Sequence, residues 1–117
     1  MKINIRKAQL GDMEAIHSLV RELAAYERGL DKVSTTPGSY IADFEKGAFD
    51  AFVAEVGGEI VGMALYCGMF STWRGRMLYL EDFIVRESLR GAGIGKMLFE
   101  AFIEELKDGG FNKRIPK

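Results

Sequence analysis

The chain has 117 residues, of which 48% are apolar and 28% charged, with a formal net charge of -1. This balance excludes a disordered chain and allows the core of one small domain, expected to span residues 1–117. There is no basic surplus to suggest nucleic acid, and no apolar stretch near the roughly 20 residues of a membrane helix.

Ile3 and Ile5 alternate with polar neighbours and predict a first strand rather than a signal peptide. Gly11-Asp12 supplies a turn and a helix N-cap. Ile16, Leu19, Val20, Leu23 and Ala24 then recur at helical spacing, so a helix is expected to about Tyr26. Thr36-Pro37 reads as an N-cap followed by proline at the first helical position. Ile41 and Phe44 are the expected buried face of that shorter second helix. Phe49 to Val56, rich in aromatic and β-branched residues, predicts a strand. Gly57-Gly58 is a two-residue hairpin turn, and Glu59 to Phe70 is the returning strand. A loop at Ser71 to Gly75 leads to another strand from Met77 to Val85. A helix follows, with Ile94, Leu98, Phe102, Ile103 and Leu106 on its apolar side, closed by Gly109-Gly110. Phe111 to Ile115 is expected to begin one more strand. The order is β-α-α-β-β-β-α-(β), an α/β (α+β) chain.

The sharpest chemical feature is Arg90-Gly91-Ala92-Gly93-Ile94-Gly95-Lys96, between a strand and a helix. Glycines permit a tight turn that gathers several N–H groups at one point. A helix start adds partial positive charge, and Arg90 and Lys96 add full charges. Together these make a phosphate cradle. A glycine cluster alone is more often a turn without ligand; its place at the carboxyl end of a strand favours the ligand. Spacing excludes two other phosphate motifs. A P-loop ending at Gly95-Lys96 needs glycine where Arg90 stands and Ser or Thr where Met97 stands. A dinucleotide fingerprint starting at Gly91 needs a small residue where Lys96 stands.

The second feature is Glu81-Asp82 inside the apolar run from Met77 to Val85. Adjacent strand residues point to opposite faces, so at least one carboxylate is expected to be partly buried if both faces are covered. The pair is then functional, or it lies on a strand with one solvated face, or it is held in an ion pair with an arginine such as Arg74 or Arg76. His17 is expected to be solvated or capping. Cys67 is expected to be a small buried hydrophobe, with no base near it in sequence. As the lone cysteine it cannot form an internal disulfide, which favours a reducing, cytoplasmic location.

With these residues in view, the chain resembles a known family. Arg90-Gly91-Ala92-Gly93-Ile94-Gly95 fits the Arg/Gln-x-x-Gly-x-Gly/Ala signature of the GNAT superfamily of N-acetyltransferases. Leu78-Tyr79-Leu80-Glu81-Asp82-Phe83-Ile84-Val85, Glu22-Leu23-Ala24-Ala25-Tyr26-Glu27 and Trp73-Arg74-Gly75 are similar to its diamine (spermidine/spermine) branch. The resemblance runs from Ile3 to about Ile115. It implies a mixed sheet flanked by helices, and acetyl transfer from acetyl-CoA to a primary amine of a small polyamine-like or amino-acid-like molecule. By resemblance, backbone groups of Phe83, Ile84 and Val85 hold the pantetheine arm. Arg90, Gly91, Ala92, Gly93, Ile94, Gly95 and Lys96 hold the pyrophosphate. Tyr26, Glu27 and Glu81 face the amine, and Glu81 serves as base through water. No metal is needed. Family members are commonly dimers, so a homodimer or larger assembly is expected. They also continue into a further strand, helix and hairpin that supply the acid for the leaving thiolate, and no residue here matches that acid. The alternative is therefore a truncated, non-catalytic remnant that binds CoA weakly or acts only through self-association.

Overall fold

The computed structural model describes residues 1–108. Its elements are β1 (Ile3–Lys7), α1 (Met13–Tyr26), α2 (Pro37–Glu45), β2 (Asp50–Val56), β3 (Glu59–Ser71), β4 (Gly75–Val85) and α3 (Ile94–Asp108). Single turns of 3-10 helix lie at Leu10–Asp12, Leu30–Lys32 and Glu87–Leu89. The order matches the sequence expectation through the third helix. The Gly109-Gly110 helix end and the strand expected at Phe111 to Ile115 lie outside the described residues.

The four strands form one sheet in the order β1-β2-β3-β4, with every neighbouring pair antiparallel. The mixed character expected of the sheet would need a parallel strand beyond residue 108, so the described part is antiparallel throughout. Gly57 and Gly58, at φ +59° and +81°, make the tight turn between β2 and β3. Positive φ at both central residues is the geometry that matches strand twist in a two-residue hairpin.

Each face of the sheet carries its own core. On one face Met13, Ile16 and Leu19 of α1 pack with Val53, Met63, Leu65 and Ile84. On the other, Ile94, Leu98, Phe102 and Leu106 of α3 pack with Ala64, Tyr66, Leu78 and Leu80. Both helices follow the predicted apolar spacing, which is why the sheet is covered on both sides. Gly62 is required where α3 crosses β3. A Cβ there would stand 3.0 Å from the Ile84 carbonyl oxygen and 3.3 Å from Leu98.

Three local expectations are corrected. Asp12 precedes α1, yet its side chain does not cap that helix. It accepts from both Arg6 Nη atoms, at 2.7 and 3.0 Å, and from the Gln9 N–H at 2.7 Å. The Arg6 guanidinium holds this carboxyl below the usual carboxylate value, against the effect of burial. In α2 the core-facing residues are Tyr40 and Phe44, whereas Ile41 is exposed. The cap of α2 is as expected, with the Ser39 N–H donating to Thr36 Oγ1 at 3.0 Å and the Thr36 N–H to Ser39 Oγ at 2.9 Å. His17 is neither solvated nor capping. It is buried, its Nε2 lies 2.9 Å from the Thr35 carbonyl oxygen, and its ring stands edge-on to Tyr40.

Candidate functional site

The site is built on the second half of β4. Leu65 of β3 pairs with Asp82, and the next residue, Tyr66, pairs with Leu80. Glu81 is therefore the extra residue of a β-bulge. A bulge of this kind re-aims side chains and reverses the alternation beyond it. The cores record the reversal. Leu78 and Leu80 face α3, but Ile84, at the same parity, packs with α1. Counting from each side of the bulge puts Glu81 and Asp82 on one face, that of α1 and α2. Burial raises the Tyr40 phenol on α2, and the Asp82 and Glu81 carboxylates raise it further, in keeping with that placement. The expectation that these neighbours point to opposite faces is thus corrected. No pattern of residue types announced the bulge.

Beyond the bulge the ladder decides which backbone groups are available. The Arg86 N–H donates to the Val61 carbonyl at 2.8 Å. The register pairs Ile84 with Met63 and Phe83 with Ala64. Alternation in an antiparallel ladder then turns the N–H and C=O of Ile84 toward β3, and those of Phe83 and Val85 outward, so the expectation that Ile84 also offers its backbone groups to a ligand is corrected. Arg90 Nε donates to the outward Val85 carbonyl at 3.2 Å, tying the glycine loop to the strand end.

That loop has the form its sequence requires. Gly91 and Gly93 adopt φ +88° and +85°, and a Cβ at either would meet nothing within 4 Å. Open space therefore lies beside the loop that leads into α3, whose first N–H groups have no partner within the helix. A phosphate-bearing ligand fits there, drawn by the helix start and by exposed Arg90 and Lys96. Gly91, Ala92 and Gly93 are exposed as well. Ile94 contributes only backbone, because its side chain is in the core beneath α3. Gly95 sits against the Phe83 ring, 3.4 Å from where a Cβ would be.

Three cavities surround the strand end. One of about 70 Å³ lies between α1 and β4 and is bordered by Glu22, Tyr26, Val85, Arg86 and Arg90. A second, of about 300 Å³, is bordered by Leu23, Phe83, Ile84, Val85 and Arg90. A third, of about 360 Å³, is bordered by Leu80, Glu81, Asp82 and Phe83. Tyr26 and the strand residues after the bulge thus come together, and Phe83 is common to the second and third cavities. Tyr26 and Glu81 share none of the three, and Glu27 borders none of them.

Glu27 closes α1, and Arg28 follows at φ +58°. A left-handed arginine is costly, by about 1–2 kcal/mol. It is held by a paired helix end, with the Gly29 N–H donating to the Ala24 carbonyl at 2.7 Å and the Arg28 N–H to Ala25 at 3.1 Å. Cys67 is half-buried, and its thiol is raised by burial and by the Glu81 carboxylate, so it is not an activated nucleophile. Among the described residues no group of three His, Cys, Asp or Glu side chains could hold a metal. No described helix is long and apolar enough to cross a membrane.

Comparison with known proteins agrees with this architecture. Residues 14–116 match the model of the Acetyltransferase (GNAT) family. The thialysine N-epsilon-acetyltransferase of Bos taurus is 37% identical over 118 residues, covering 92% of this chain and 69% of that one. Its Sus scrofa counterpart is 38% identical over 116 residues, covering 91% and 68%. The human spermidine/spermine N(1)-acetyltransferase-like protein 1 is 37% identical over 100 residues, covering 78% of this chain and 14% of that protein. Among solved structures, a soil-metagenome aminoglycoside acetyltransferase in complex with sisomicin superposes with a TM-score of 0.82 at 20% identity, over 98% of this chain and 77% of that one. A predicted acetyltransferase of Clostridium acetobutylicum, solved with acetyl-CoA, gives 0.75 at 18% over 99% and 81%. At such identities the superpositions speak to fold alone, while the family match and the mammalian relatives speak to descent. A bulged fourth strand, a glycine loop opening α3 and a sequence match over most of the chain lead to one conclusion: the chain belongs to the GNAT family of acetyltransferases.

Proposed function

We propose that the chain transfers an acetyl group from acetyl-CoA to a primary amine of a small polyamine-like or amino-acid-like molecule. The observation that carries this reading is the bulge at Glu81, which sets two adjacent carboxylates on one face beside a strand end with outward backbone groups. A protonated amine cannot attack a carbonyl carbon, so a base must take its proton. Glu81 both attracts the cation and accepts that proton, through a water, with Tyr26 and Glu27 as further contacts to the amine. Acetyl-CoA supplies the activated acyl group as a thioester; as the new C–N bond forms its C–S bond breaks, and CoA leaves as a thiolate that takes its proton from solvent. Outward backbone groups of Phe83 and Val85 hold its pantetheine arm, flanked by Ile84. Arg90, Gly91, Ala92, Gly93, Ile94, Gly95 and Lys96 hold its pyrophosphate. A fixed N–H at the strand end also steadies the negative charge that develops on the carbonyl oxygen. The relatives named for thialysine and spermidine/spermine support an amine-bearing acceptor.

The test is thiol release from acetyl-CoA over a panel of diamines, polyamines and lysine analogues. Turnover is expected, and Glu81→Gln should lower kcat/KM for the amine about 10²–10⁴-fold. No turnover with any amine by a folded chain overturns the reading. Acetyl-CoA at 100 times its dissociation constant should add about 2.7 kcal/mol of stability. That gain without turnover would select the non-catalytic, CoA-binding alternative.

We also infer a homodimer or larger self-assembly and a cytoplasmic location. Supporting the first, β4 is outermost among the described strands, and the β3–β4 hairpin exposes Phe70 (73%) and Trp73 (93%). Supporting the second is the lone half-buried Cys67. Light scattering across a dilution series should show a species heavier than 13.1 kDa. A monomer at high micromolar concentration would rule assembly out.

A further inference from the structure

Arg86 follows β4 and stands between the two parts of the proposed site. Its guanidinium donates to Glu22 Oε2 of α1 at 3.2 Å and to Glu59 Oε1 at the start of β3. Its own N–H donates to the Val61 carbonyl at 2.8 Å. Three elements therefore meet on this one residue. Glu22 precedes Tyr26 by four residues, so the two share a face of α1, one turn apart.

That end of α1 is held more lightly than its start: Leu23 packs on the core only partly buried, and backbone bonds close the helix. Leu19 is the last fully buried side chain of the helix, and Tyr26 is 73% exposed. Leu23 and Ala24 are only half-buried. Packing is complete in the first half of the helix and partial at Leu23 in the second, where the polar contact of Glu22 with Arg86 adds to it. Tyr26 and Arg86 also border the same small cavity. A guanidinium presents several donors in a fixed plane, so it can hold two carboxylates at set angles, which the single ammonium of a lysine does less well. With Arg86 29%, Glu22 48% and Glu59 67% exposed, the pairs add little to overall stability. Their consequence is geometric.

We propose that Arg86 is a positioning residue, fixing the last turn of α1, and with it Tyr26 and Glu27, against the strand end that holds acetyl-CoA. The proposal rests on the reading of Tyr26 and Glu27 as amine contacts.

Two readouts on the full chain test it. In Arg86→Gln, amide hydrogen exchange in a peptide covering Leu23 to Glu27 should quicken several-fold, while peptides from α3 and β2 keep their rates. With a diamine as probe, the KM for the amine should rise about five-fold, and more than the KM for acetyl-CoA. Arg86→Lys should recover part of both effects. Unchanged exchange at the end of α1 overturns the proposal, and so does an increase shared equally by α1, α3 and β2. If the parent chain gives no turnover, the functional reading falls, and the exchange experiment still decides whether Arg86 holds the helix end.

Discussion

At its carboxyl-terminal end α3 is anchored twice. Phe102 and Leu106 are fully buried there, and Glu105 accepts from Lys7 Nζ at 3.3 Å, a lysine that also binds Asp50 at 2.9 Å. At its amino-terminal end Ile94 is buried, but Gly91 and Gly93 before it face open space, and Lys96 beside it is exposed. One end satisfies its charges within the chain, and the other presents cations and helix N–H groups outward. The same helix thus serves as a structural pin and as a ligand platform. The difference comes from which residues lie beside each end.

The largest loss is expected at the anchored end. Phe102→Ala should cost about 3–5 kcal/mol, because it leaves a cavity against Tyr66 and Leu98. Urea unfolding would measure the loss, and a cost under 1 kcal/mol would mean that the helix is held elsewhere. At the open end the expected effect is on binding. Gly93→Val places a β-branched residue at φ +85° and brings a side chain over the helix start. Affinity for acetyl-CoA should fall more than tenfold by calorimetry. Unchanged affinity would place the pyrophosphate away from this loop.

A smaller effect sharpens the anchored end by pH. Burial of Tyr66 pushes its phenol up to about 12, although the neighbouring Lys7 ammonium acts to lower it. An unfolded tyrosine titrates near 10.0. A raised folded value means that the folded state keeps a proton the unfolded state loses. The contribution is fully present below pH 10 and is lost as pH rises toward 12. Following the phenolate absorbance band should show Tyr40 and Tyr66 titrating late, and Tyr66→Phe should remove the later part of that rise. Tyr66 titrating with the exposed Tyr26 would show that this end admits water freely.

Much of the molecule was legible from the chain itself. The helical spacing of Ile16, Leu19 and Leu23, and of Ile94, Leu98, Phe102 and Leu106, specified both long helices. Thr36-Pro37 specified the start of the second helix, Gly57-Gly58 the hairpin, and the glycines before Ile94 the open loop. These are local signals, because a cap, a turn or a period depends on residues within a few positions of one another. Tertiary structure decided what depends on partners far along the chain. The bulge at Glu81 exists only in the pairing of β4 with β3, and it alone sets Glu81 and Asp82 on one face. His17 is buried because Thr35 and Tyr40 close over it, and Asp12 turns from the helix it precedes because Arg6 stands beside it. Arg86 finds its partners 64 and 27 residues away. Residue types specify which groups can act, and the register of one strand on another decides which of them meet.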